Sequence, residues 1–90
     1  MATIYPMVLD EVERACGEYR RRSLALDDLK AALWKASSEV VAHDERNLRV
    51  FLQWAEGQLD MIQFTMDDGY LYGRTLEIVE RVEEMIQRSR

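Results

Sequence analysis

The residues best suited to chemistry lie in one short stretch, FTMDDGYLYG over positions 64–73, where Asp67 and Asp68 precede Gly69 and two tyrosines. Paired carboxylates beside a glycine are the raw material of a calcium loop, which needs oxygen ligands at loop positions 1, 3, 5 and 12 and glycine at 6. With Gly69 at the glycine position, Phe64, Met66, Asp68 and Thr75 fall on those ligand positions, and only Asp68 offers a carboxylate. Starting the loop at Asp67 puts Gly69 and Leu71 where ligands are required. Neither register builds a calcium site. The same residues suit a helix corner: Asp67 and Asp68 cap the following helix and favour its dipole, while Gly69 relaxes the turn. Tyr70 and Tyr72 are expected to close the end of a bundle as half-buried aromatics.

The remaining reactive side chains are scattered. His43 is the only histidine, flanked by Glu39, Asp44 and Glu45. Metal-holding helical bundles use several inward carboxylates and paired Glu-x-x-His motifs, a pattern absent from this chain. A solvated histidine in a helix-to-helix turn is the reading. Cys16, the single cysteine, lies on an apolar helical face with no histidine near it in sequence, which is the setting of a buried structural thiol. No strand–turn–helix context strains Ser23, Ser37, Ser38 or Ser89 into a nucleophile, and four scattered glycines supply no phosphate loop. Arg20, Arg21 and Arg22 form the only basic cluster, placed where a helix C-terminus favours positive charge. Glu77, Glu80, Glu83 and Glu84 beside Arg74, Arg81 and Arg88 have the spacing of ion pairs on a solvated helix face. No residue is assigned a catalytic, cofactor-binding or metal-binding role, and no cofactor is expected.

Ninety residues, 48% of them hydrophobic and 32% charged, suit one globular domain over 1–90. The net charge of −5 is shared between both halves of the chain, so there is no concentrated basic surface for nucleic acid. Acidic residues Asp10, Glu11 and Glu13 interrupt the N-terminal segment, which does not read as a signal peptide. No apolar run is long enough to span a membrane. A lone cysteine gives no internal disulfide, and a cytoplasmic setting is expected.

Hydrophobic periodicity predicts four helices and no strand. The first runs over about 6–21, opening on Pro6 and carrying Val8, Val12, Ala15, Cys16 and Tyr19 on one face. The second follows Ala25 as cap, with Leu24 and Leu29 as a hydrophobic staple. It presents Leu26, Leu29, Leu33, Ala36 and Val40, and ends near Val41. Asp44 is the expected cap of the third, which runs through Leu48 to about Met66. The fourth begins near Gly69 or Tyr70, reaches about Arg88, and carries Tyr72, Leu76, Val79, Val82 and Ile86. Short connections imply sequential antiparallel neighbours: an all-α, small four-helix up-and-down bundle. The alternative is a three-helix core with a peripheral N-terminal helix.

The third helix carries two apolar stripes. Leu48, Leu52, Ala55, Leu59, Ile62 and Met66 recur at the 4, 3, 4, 3, 4 spacing of a packed helix. Val50, Trp54, Gly57, Met61 and Phe64 recur in the same way, roughly 200° around the helix. Either this helix is central in the monomer, or its second stripe is covered by another chain. Trp, Met and Phe with a glycine between them have the chemistry of an interface. The expectation is therefore a non-catalytic helical interaction protein, a homodimer or the partner of another protein. Its contact residues would be Val50, Trp54, Gly57, Met61 and Phe64, with Trp34 and Val41 as a smaller lateral patch. The alternative is a small-molecule or metal-binding bundle that uses the space between the third and fourth helices near Tyr70 and Tyr72, or the His43 turn.

Overall fold

A computed structural model describes residues 3–89, the side chain of Asp68 excepted, so the cap expected of that side chain lies outside the described residues. Four helices form: α1 (Pro6–Arg20), α2 (Leu26–Glu39), α3 (Arg46–Thr65) and α4 (Asp68–Ser89), with a short 3-10 turn at His43–Glu45 leading into α3. Each packs against its sequence neighbours and α1 closes the square against α4, while the diagonal pairs make no close backbone approach among the described residues. The fold is an all-α four-helix bundle. At one end Thr3 N–H donates to the Ser89 carbonyl at 2.7 Å, and at the other the Tyr72 hydroxyl donates to the Arg20 carbonyl at 2.7 Å, so α1 and α4 run antiparallel. Lys30, early in α2, donates to Asp60 at 2.8 Å and Gln63 at 2.7 Å, late in α3.

Each helix buries one apolar stripe that its periodicity marks, with Leu26, Ile62, Met66, Tyr72 and Leu76 only half-buried at the margins. Leu9, Val12 and Cys16 of α1 meet Leu29, Leu33 and Ala36 of α2, Leu52, Ala55 and Leu59 of α3, and Val79, Val82 and Ile86 of α4. Each fully buried aliphatic side chain contributes roughly 1.5–3 kcal/mol. Because α1 buries Leu9 completely, it belongs to the core and is not a peripheral attachment. One flaw is polar: the Thr75 hydroxyl is fully buried with no hydrogen-bond partner among the described residues.

The connections depart from local expectation where distant residues intervene. Asp44 does not cap α3; it lies inside the 3-10 turn, and Glu45 takes the N-cap position without a capping side-chain bond. The Glu45 carboxylate is engaged elsewhere, accepting from Thr3 Oγ1 at 2.7 Å and from the Ile4 N–H at 3.1 Å. Beside it the Tyr5 hydroxyl accepts the Val41 and Ala42 N–H groups at 3.2 and 3.0 Å. The segment before α1 thereby ties the α2–α3 connection to the bundle end. α2 stops at Glu39, and Val40 leaves the helix with its side chain fully buried.

α1 ends in a Schellman motif: Arg22 N–H reaches the Tyr19 carbonyl at 2.9 Å and Ser23 N–H the Glu18 carbonyl at 2.8 Å. The motif puts Arg22 at φ 60°, a left-handed position where glycine is usual. Its guanidinium lies 4.2 Å from the centre of the Tyr72 ring, which stacks on Tyr19 at 5.5 Å. An exposed cation–π contact of this kind is worth about 0.5–1 kcal/mol, similar to the strain of the left-handed residue. Arg22→Gly is expected to exceed Arg22→Ala in urea-unfolding stability by about 1 kcal/mol, because only glycine relieves the backbone. Equal stabilities would show that the turn relaxes without strain.

Candidate functional site

In a square of four helices, α3 occupies a corner and turns only one side inward. Leu48, Leu52, Ala55 and Leu59 fill that side. The opposite stripe faces outward: Val50 is 49% exposed, Met61 52% and Phe64 81%. It is not monomer core. Gly57 is also exposed, and a Cβ built there would meet nothing within 4 Å. Its φ is not positive, so neither backbone conformation nor intrachain packing requires a glycine. A glycine inside a helix costs about 1 kcal/mol relative to alanine.

Trp54 stands at the margin of the stripe. Half-buried, it packs its ring 5.5 Å from that of Phe51, and the Arg81 guanidinium of α4 sits 5.6 Å above it. Beside Trp54 a groove of about 650 Å³ runs between α3 and α4. Trp54, Met61, Ile62 and Met66 give it an apolar wall, and Arg74, Glu77, Arg81 and Glu84 a charged one. The groove thus brings Trp54 and Met61 together with α4. Val50, Gly57 and Phe64 lie on the open face beyond it.

The tyrosines stand elsewhere. Tyr72 faces α1, where it stacks on Tyr19, and Tyr70 is 70% exposed; neither lines the groove. Tyr72 closes the bundle end as expected of a half-buried aromatic, whereas Tyr70 does not. Trp34 and Val41 are both exposed, but Val41 lies beyond the end of α2. His43 is exposed in the 3-10 turn, and among the described residues no three His, Cys, Asp or Glu side chains converge as metal ligands. No helix is long and apolar enough to cross a membrane, among the described residues.

Cys16 is buried in the core, and desolvation, reinforced by the nearby charge of Glu83, pushes its thiol up to about 12. Such a thiol is a poor nucleophile near neutrality. What the sequence reading missed is the part played by Arg81, which joins the charged face of α4 to Trp54. The signal was present, since Arg74, Glu77, Arg81 and Glu84 keep the same four-and-three spacing as the stripe on α3.

No protein-family model, curated protein or solved structure matches the chain.

Two outcomes follow from these placements. The Cys16 thiol sits near 12 when folded against an ordinary value of 9.0. Its contribution to stability is therefore complete below about pH 9 and is lost as pH rises toward 12, with a slope approaching about 1.4 kcal/mol per pH unit. In Cys16→Ala the alkaline loss measured by urea unfolding should be shallower than in the parent; identical pH profiles would contradict the assignment. Gly57→Ala should stabilise the dilute monomer by about 0.5–1 kcal/mol, since the added methyl meets open space. Destabilisation would show that the glycine is needed within the chain.

Proposed function

We propose that this chain is a non-catalytic interaction protein that self-associates through the outer face of α3. The observation that carries the reading is the pairing of an exposed Val50–Met61–Phe64 stripe with Trp54 at its edge, on a helix whose other side is already buried. Contiguous exposed apolar surface on a small protein marks a contact site. Tryptophan and methionine are enriched in interface cores, where tryptophan supplies much of the binding energy. Gly57 at the centre of the stripe lets a second backbone approach closely. A homodimer is the simplest such assembly, because closed two-fold pairs dominate among oligomers. The low-charge apolar stripe suits a protein partner and not nucleic acid or membrane, and a cytoplasmic setting accords with the unpaired buried thiol.

A second reading rests on the groove between α3 and α4, whose volume of about 650 Å³ falls in the range of small-molecule pockets. Under that reading the bundle holds an apolar ligand against Trp54 and Met61.

Light scattering coupled to size exclusion, at two loadings tenfold apart, separates the two. The parent chain is expected to show a dimer mass that falls on dilution. Trp54→Glu and Phe64→Glu should both give the monomer mass. The Phe64 variant serves as control, since a side chain this exposed can be replaced without loss of far-UV helicity. A parent chain that is monomeric at both loadings would contradict self-association. A fold lost in Trp54→Glu but kept in Phe64→Glu, with the dimer intact, would assign Trp54 to the core.

A further inference from the structure

The exposed face contains a second stripe whose pattern specifies how two copies would meet. Tyr70, Arg74, Glu77, Arg81, Glu84 and Arg88 of α4 recur at spacing 4, 3, 4, 3, 4, and all are exposed. The stripe is antisymmetric about Val79. Glu77 on one side of that point mirrors Arg81 on the other, Arg74 mirrors Glu84, and the Tyr70 ring mirrors Arg88. The α3 stripe is symmetric about Gly57, with Val50 mirroring Phe64 and Trp54 falling within one residue of mirroring Met61. The two centres stand at one level. Arg81 lies over Trp54, so three residues inward along each antiparallel helix Gly57 falls beside Ile78, next to Val79.

We propose that two copies of this chain pack face to face about a two-fold axis through the Gly57–Val79 level, α3 antiparallel to its copy and α4 antiparallel to its copy. This rests on the self-association proposed above and names its geometry. Gly57 meets its own copy at the axis, where the absent side chain lets the α3 backbones approach. On α4 every cation then faces an anion or an aromatic ring: Glu77 faces Arg81 of the second copy, and Arg74 faces Glu84. A parallel pairing in register would set arginine against arginine and glutamate against glutamate along the same stripe, a repulsive arrangement. Within one chain Arg74 pairs with Glu77 at 3.0 Å, both more than half exposed, and such an exposed pair is readily shared with a neighbour.

Area agrees with a reversible dimer. Two helices roughly 10 Å apart and eighteen residues long present a footprint of about 20 by 27 Å. That is about 540 Å² of projected area, short of the roughly 800 Å² of accessible surface per partner in standard interfaces and in the range of weak, reversible ones. The complex should therefore dissociate on dilution, and its charge pairs should make it sensitive to salt.

Reciprocal charge exchange tests the geometry. Arg74 and Glu84 stand ten residues apart, about 15 Å along one helix, so they cannot touch within a chain. Sedimentation through a dilution series is expected to show Arg74→Glu and Glu84→Arg each weakening the dimer about tenfold, since the symmetric assembly carries each pair twice. The double variant should return to within about threefold of the parent. A double variant weaker than either single, or a parent dimer indifferent to both, would overturn the two-fold pairing while self-association stands. A parent chain that stays monomeric throughout the series would overturn both.

Discussion

A helix at the corner of a four-helix square can turn only one arc of its surface to the core, and the organisation of this molecule follows from that limit. α3 carries two apolar stripes, and the bundle accommodates one. Leu52, Ala55 and Leu59 sit at the centre of the packing, so the register of α3 is set by aliphatic burial. Once that register is set, Val50, Met61 and Phe64 have nowhere to go but outward. Leaving them in water forfeits roughly 25 cal/mol for each Å² of apolar surface that could be covered. The exposed stripe is thus a consequence of a well-formed core and not a defect in it.

Charge is organised around the same frame. Arg20 pairs with Glu83 across α1 and α4, Lys30 with Asp60 across α2 and α3, and the Asp60 hydrogen bond raises the Lys30 pKa above its ordinary value. Pairs that keep at least one partner open to water add little stability individually. Their value lies in register, since each joins neighbouring helices at one level. The outward charges of the α4 stripe serve no such purpose among the described residues, where Arg74 pairs with its helical neighbour Glu77. Arg81 reaches across to α3 at Trp54, where the apolar and charged parts of the face meet.

The helices and their inward faces were legible in the sequence because burial of one face imposes a 3.6-residue period that Leu, Ile, Val and Ala record directly. Features set by distant contacts were not. Asp44 has the local credentials of a cap, yet Thr3 and Ile4 engage Glu45 and a 3-10 turn takes its place. Arg22 gives no sign of a left-handed residue, because the glycine that usually announces one is absent and Tyr72, far along the chain, holds the turn. Both stripes of α3 were visible, but periodicity cannot say which neighbours a helix has; only the square arrangement shows that the second one faces water. Tyr70 and Tyr72 looked equivalent by type, and a two-residue step around α4 sends one into solvent and the other against Tyr19.

The central claim is that a second copy of the chain covers the outer stripe of α3. The most direct test is an isotope-filtered NMR experiment on an equimolar mixture of labelled and unlabelled protein, which reports only contacts between copies. Val50 and Phe64 lie fourteen residues apart on one straight helix, about 21 Å, too far for an intrachain Overhauser contact. The account predicts cross-peaks between Val50 methyl groups of one copy and the Phe64 ring of the other. A mixture with no contacts between copies, at concentrations suited to NMR, would contradict it.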